Sequence, residues 1–159
     1  MYFLRCVCYF AVIGVAAFVL GRLAAGHRLP FESFPLKSFP FEREGQAYKR
    51  IGIAKWQSRV PDMSRILKGS MPEKRLEGRP DKAALLQMIQ ETCVAETVHV
   101  LLCVVGLGAV WLWPGAGGWI SWLVYCLVGN LPFILIQRYN RPRLVKLLRR
   151  CRAGEDREK

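Results

Sequence analysis

Four side chains able to do proton chemistry gather in one short segment: Glu91, Thr92, Glu96 and His99. Thr92, Glu96 and His99 stand at i, i+4 and i+7, so on a helix they share one stripe. Glu91 lies beside that stripe, about 100° from Thr92 on an ideal helix. Apolar residues follow from Val100, which places the group at the entrance of a membrane span. An ionisable side chain at membrane depth costs at least ~2.5–3.5 kcal/mol unless it is paired or functional. Two readings account for it. In one, Glu96 pairs with an arginine further along the chain and locks two helices together. In the other, Glu96 orients His99 and raises its basicity, and the imidazole takes a proton from a substrate hydroxyl. Glu-x-x-His as half of a di-iron site requires a second such motif, which the chain lacks.

A second concentration runs through Asn130-Leu-Pro132 and Gln137-Arg-Tyr-Asn-Arg-Pro-Arg143. Pro132 removes a helix hydrogen bond, and Asn130 is placed to satisfy the freed carbonyl or a neighbouring polar group. Arg138, Arg141 and Arg143 present planar guanidinium groups suited to bidentate capture of carboxylate or phosphate. Their candidate partners are an anionic headgroup, a phosphopantetheine-type carrier or Glu96. The simpler reading is a basic flank that binds anionic lipid, yet Gln137, Tyr139, Asn140 and Pro142 are not needed for that.

Three apolar runs position these groups. The first covers Cys6 to Leu20 and reaches the roughly 20 residues of a span if Arg22 snorkels to the interface. An uncleaved anchor is expected over 1–25, a signal peptide being its rival. The second and third runs, Val94 to Trp113 and Trp119 to Ile136, are joined by Pro114-Gly-Ala-Gly-Gly118 and predict a helical hairpin over 94–136. Trp111, Trp113, Trp119 and Trp122 surround the turn, as in an aromatic belt at the membrane–water boundary. Between the first two runs, Phe31, Phe34, Phe39 and Phe41 recur among Pro30, Pro35 and Pro40, which forbid a continuous helix. Tyr48 to Trp56 predicts a short basic interfacial helix. Pro61-Asp62 and Pro72 mark turns. After Pro80 and a candidate cap at Asp81, the spacing of Ala84, Leu85, Met88, Ile89 and Thr92 predicts a helix running into the second span. The fold expected is an all-α membrane protein: an anchor helix, a basic interfacial loop with short helices, and a transmembrane hairpin. Residues 26–159 are read as a single domain, with 137–159 its basic tail.

Composition agrees. The chain is 52% hydrophobic yet carries a formal net charge of +12, a combination that suits spans with basic flanks. The aromatics sit in or beside apolar runs, which argues against a nucleic-acid partner. Six cysteines without a Cys-x-x-Cys pair, and two histidines, His27 and His99, argue against a zinc cluster; no metal or cofactor is expected. Of 24 Lys and Arg, residues 26–93 hold 13 and residues 138–159 hold nine. The positive-inside rule then puts the 26–93 loop and the tail in the cytoplasm, with the N-terminus and hairpin turn outside a multi-pass cell-membrane protein. Both polar sets fall at the cytoplasmic ends of the hairpin helices, where one interfacial site could hold them. A non-catalytic protein that binds anionic lipid or scaffolds other membrane biosynthetic enzymes would share these features.

The order Glu91-Thr-x-x-Ala95-Glu96-x-x-His99, an apolar hairpin, Asn130-x-Pro132 and Gln137-Arg-Tyr-Asn-Arg-Pro-Arg-Leu144 resembles the glycosyl-4,4'-diaponeurosporenoate acyltransferase family. Upstream, Phe39-x-Phe41-Glu42, Gly45, Lys55-Trp56 and Pro61-Asp62 sit in similar order, so the resemblance spans roughly 39–150. It implies a membrane enzyme of carotenoid biosynthesis. Such an enzyme moves a fatty acyl group from a donor to a sugar hydroxyl of a glycosylated carotenoid or related glycolipid, the last step towards staphyloxanthin-type pigments. On that reaction His99 would be the general base, with Glu96 its orienting partner and Glu91 beside them. Arg138, Arg141 and Arg143, with Tyr139, would hold an anionic part of donor or acceptor. Asn130, Gln137 or Asn140 would donate to the developing oxyanion. No Gly-x-Ser-x-Gly elbow is present, which favours direct transfer, while Cys103, one turn beyond His99, leaves a covalent acyl-enzyme open.

Overall fold

A computed structural model describes residues 1–24, 28–60 and 81–155. The readings at His27, Pro61-Asp62, Pro72 and Pro80 lie outside the described residues. These residues form helices and turns, with no strand among them, as an all-α chain requires. Three helical stretches are long and apolar enough to cross a membrane: Tyr2–Ala24, Lys82–Leu112 and Ala116–Cys151. The chain divides into two compact units, Met1–Leu29 with Cys93–Gln137, and Pro30–Thr92 with Arg138–Lys159.

In the first unit, helix α1 (Tyr2–Ala24) packs with the later part of α3 (Lys82–Val105) and with the hairpin turn. The second apolar run tightens into a 3-10 turn over Gly106–Gly108 before α4 (Ala109–Leu112). Tightening frees helix carbonyls, and within a bilayer only other protein groups can satisfy them. Tyr9 donates its hydroxyl to the Val105 carbonyl at 2.6 Å and Trp122 Nε1 donates to that of Cys103 at 2.8 Å, while the Cys6 thiol points at the Ala109 carbonyl, which also accepts the Trp113 N–H. The glycines make room: a Cβ on Gly106 would stand 3.1 Å from the Tyr125 ring. Tyr125 in turn stacks on Phe10 with ring centroids 4.1 Å apart.

The Pro-Gly reversal is tighter than a five-residue loop. Gly115, at φ 89 and ψ −160, is the only residue between Pro114 and α5 (Ala116–Val124), a conformation open to glycine alone. Gly118 lies inside α5, and a Cβ there would meet the Trp113 carbonyl oxygen, with Val110 Cα at 2.8 Å and Ala109 O at 3.0 Å. Gly118→Ala is therefore expected to force the hairpin apart. The cost should be about 1–3 kcal/mol, seen as a lower melting temperature in detergent, while the same change at Gly14, where a Cβ meets nothing within 4 Å, leaves it unchanged.

The second unit has a small apolar core. Leu85 and Ile89, one turn apart on α3, meet Leu148 of α6 (Leu131–Glu155), with Phe31 and Val145 packed against them. The helical spacing read in the sequence is thus realised, although Ala84 is exposed and Met88 half-buried. The expected Tyr48–Trp56 helix is instead two pieces, a 3-10 segment Gln46–Ile51 and α2 (Ile53–Trp56), separated at Gly52, whose φ of 67 ends the first. The helix does not stop where the third apolar run ends at Ile136: α6 continues to Glu155 through Pro142.

Candidate functional site

The polar groups of the first unit centre on His99. Between α5 and α6 the chain makes one π-helical turn, Tyr125–Asn130, a distortion often found at functional positions. It turns Asn130 inward, where the residue is 1% exposed. The Asn130 amide donates from Nδ2 to the Tyr125 carbonyl at 3.0 Å, and its Oδ1 lies 3.0 Å from His99 Nδ1. Since Oδ1 can only accept, His99 must donate from Nδ1, which leaves Nε2 with a free lone pair in the neutral ring. Phe133 stacks on the imidazole, centroids 4.6 Å apart and planes within 8°. The ring is therefore fixed in orientation and tautomer by a neutral amide reached from 31 residues away. Glu96 is buried at 3% exposure on the same helix. Gln137, half-buried, closes this unit.

In the second unit the organising group is a carboxylate that sequence reasoning passed over, Glu42. It is 1% exposed and accepts from the Phe39 N–H at 2.6 Å, the Ser38 hydroxyl at 3.1 Å, the Tyr48 hydroxyl and Arg138 Nη1 at 2.9 Å. Burial alone would raise its pKa, but the hydrogen bonds from Tyr48, Arg138 and Phe39 outweigh that and hold it below the ordinary value of 4.5. Arg138 also donates to the Pro35 carbonyl at 2.9 Å and lies over the Phe39 ring at 4.5 Å. Arg141, 3% exposed, donates to the Thr92 hydroxyl and carbonyl and, at 2.6 Å, to the Leu36 carbonyl. Two of the three arginines expected to hold substrate thus donate to the protein itself. Arg143, exposed, lies 4.1 Å over the buried Tyr139 ring, and Asn140 donates to Gln57 Oε1 at 3.3 Å. Glu91 accepts from Gln87 at 3.2 Å.

Glu42 begins an unusual piece of backbone. Arg43 and Glu44 have φ of 48 and 54, followed by Gly45 at 85. Left-handed conformations cost non-glycine residues roughly 1–2 kcal/mol each, a strain that the Glu42 hydrogen bonds offset. Gly45 is required because a Cβ there would approach Tyr139 O to 3.1 Å. Around this loop opens a cavity of about 690 Å³, walled by Leu36, Phe39, Arg138, Arg141 and Val145. The sequence offered little to single out Glu42, since Glu32 and Glu44 lie in the same segment. Among the described residues no cluster of His, Cys, Asp and Glu could hold a metal.

Helices of this length and apolarity, with a half-buried histidine held by a buried amide among them, define an all-α membrane protein. The chain belongs to the glycosyl-4,4'-diaponeurosporenoate acyltransferase family, whose model matches residues 32–150, and it is an acyltransferase. Proteins named glycosyl-4,4'-diaponeurosporenoate acyltransferase from Staphylococcus aureus strains bovine RF122 / ET3-1 and MRSA252 are each 29% identical to it, over 78% of this chain and 77% of theirs. The one from strain N315 is 28% identical over the same shares. No solved structure matches.

Proposed function

We propose that this chain esterifies a sugar hydroxyl of a glycosylated carotenoid, or of a related glycolipid, with a fatty acyl group. The observation that carries the reading is the His99–Asn130 pair in a chain of this family. With Nδ1–H engaged, Nε2 of His99 accepts the proton of the sugar hydroxyl as its oxygen attacks the acyl carbonyl. A carbon–oxygen ester bond forms, the bond from the acyl carbon to the donor's leaving group breaks, and the leaving group takes up the proton from the imidazolium. Phe133 and Asn130 keep the ring oriented through both transfers. Transfer is direct, without an acyl-enzyme. Glu96, buried on the same helix as His99, tunes its basicity. Gln137 supplies a hydrogen bond to the oxyanion, while Asn130 spends its carbonyl on His99 and one amide N–H on Tyr125. Arg138 and Arg141 hold the backbone of the second unit itself, through the Pro35 carbonyl and through the Leu36 and Thr92 carbonyls.

The surrounding bilayer supplies the lipidic substrates, and the basic loop and tail face the cytoplasm and its anionic headgroups, following the distribution of Lys and Arg. Exposed Phe34 and Phe41 suit an interface carrying such headgroups. Cells supplied with a glycosylated carotenoid should yield an acylated product by lipid mass spectrometry only when they express the chain, and the mass increment names the acyl group. Identical profiles from expressing and empty-vector cells would favour the alternative of a lipid-binding or scaffolding protein.

A further inference from the structure

The cavity of the second unit has no part in proton transfer at His99. Its lining brings together six cations, Lys37, Arg43, Arg138, Arg141, Lys146 and Arg149, against three carboxylates. The carboxylates are partly committed: Glu42 to Arg138, and Glu32 to Arg149 at 3.6 Å. Lys37, Arg43 and Lys146 are exposed and make no ion pair among the described residues. Like charges so gathered repel one another, which an anion would relieve. Leu36, Phe39 and Val145 give the same cavity an apolar wall. At about 690 Å³ it lies within the ~300–1,000 Å³ of small-molecule sites and exceeds what a bare inorganic ion needs.

The backbone that carries Arg43 is fixed at both ends. Glu42 is held by Ser38, Phe39, Tyr48 and Arg138, and Gly45 sits against the Tyr139 backbone. Arg43 is thereby presented at the cavity without a flexible loop to order on binding, which lowers the cost of capturing a ligand. Three cations suit a phosphoryl group, with about −1.5 to −2 charges and three acceptor oxygens, better than a carboxylate.

We propose that this cavity binds the phosphate ester of an amphipathic molecule, Lys37, Arg43 and Lys146 contacting the phosphoryl oxygens and Leu36, Phe39 and Val145 the apolar portion beside it. The ligand's identity as the acyl donor rests on the acyl-transfer reading; the phosphate site does not. The same chemistry arises in a phosphopantetheine thioester donor and in a phospholipid headgroup, so two probes are used.

Calorimetric titration of the full chain in non-ionic detergent with coenzyme A, and separately with a short-chain phosphatidylglycerol, tests it. Each of Lys37→Gln, Arg43→Gln and Lys146→Gln should weaken binding about tenfold. The triple variant should lose whichever probe the wild type holds at this site, inorganic phosphate should compete, and Arg150→Gln, an exposed cation outside the lining, should bind as wild type. Loss confined to coenzyme A assigns the site to the donor, and loss confined to the phospholipid assigns it to a headgroup. Both support a phosphate site. Wild-type binding of neither probe, an unaffected triple variant, or equal weakening by Arg150→Gln overturns it. The two readings separate by product analysis. A triple variant that acylates at the wild-type rate sinks the site as the donor's and leaves acyl transfer standing. A wild type that binds coenzyme A through these residues yet forms no product sinks acyl transfer and leaves the site.

Discussion

Replacing His99 by alanine is expected to slow acyl transfer by about 10²–10⁴-fold, the range a positioned general base contributes. Helix α3 would be retained, because alanine is the best helix former and His99 is only half-buried. The decisive readout is turnover of purified protein with acceptor and donor supplied. If His99 serves only as the base, kcat falls and KM holds, because the lost interaction forms in the transition state. Asn130→Ala should act in the same direction but less, since it frees the ring to rotate and to change tautomer without removing the base. It also takes a donor from the Tyr125 carbonyl, so its melting temperature must be read beside its rate. Full activity in a folded His99→Ala protein would end the general-base assignment and leave the pair as a polar lock between helices.

The sequence made the spans legible because hydropathy and the Pro-Gly reversal are local signals. The Trp residues around Pro114 marked the turn for the same reason. The entrance stripe was legible too, since Thr92, Glu96 and His99 lie on one helix. What that periodicity could not reveal was the partner of the imidazole. Glu96 is close to His99 in sequence, but His99 Nδ1 bonds to Asn130, brought inward by a π-helical turn with no sequence period of its own. Glu42 and Arg138 are 96 residues apart, and a pairing over such a distance leaves no spacing to read. Guanidinium groups suit anions, and the same five donors suit protein carbonyls and a buried carboxylate, so spacing alone left the partners of the tail arginines open. Only burial separates the two uses: Arg141 is 3% exposed, whereas Arg43, Lys37 and Lys146 face solvent.

That buried carboxylate leads to the largest expected effect on stability. Glu42→Ala removes one partner of an ion pair whose side chains are 1% and 13% exposed, and breaking a buried pair in this way costs about 3–5 kcal/mol. The loss is compounded locally, since the Phe39 N–H and the Ser38 and Tyr48 hydroxyls lose the same acceptor and the left-handed Arg43 and Glu44 lose their anchor. Arg138→Ala should cost a comparable amount, and the double substitution less than the sum, because the two act on one interaction. Acid should mimic the change. A carboxyl pKa lowered by folding contributes stability that is complete above its ordinary value of 4.5 and is lost as pH falls through the lowered folded-state value. Melting curves in detergent should therefore shift down below pH 4.5 for wild type, and Glu42→Gln should remove most of that acid dependence while starting from a lower plateau. A wild-type melting temperature that stays level through this range, or a Glu42→Gln protein as stable as wild type at neutral pH, would mean that the Glu42–Arg138 pair does not hold the second unit together.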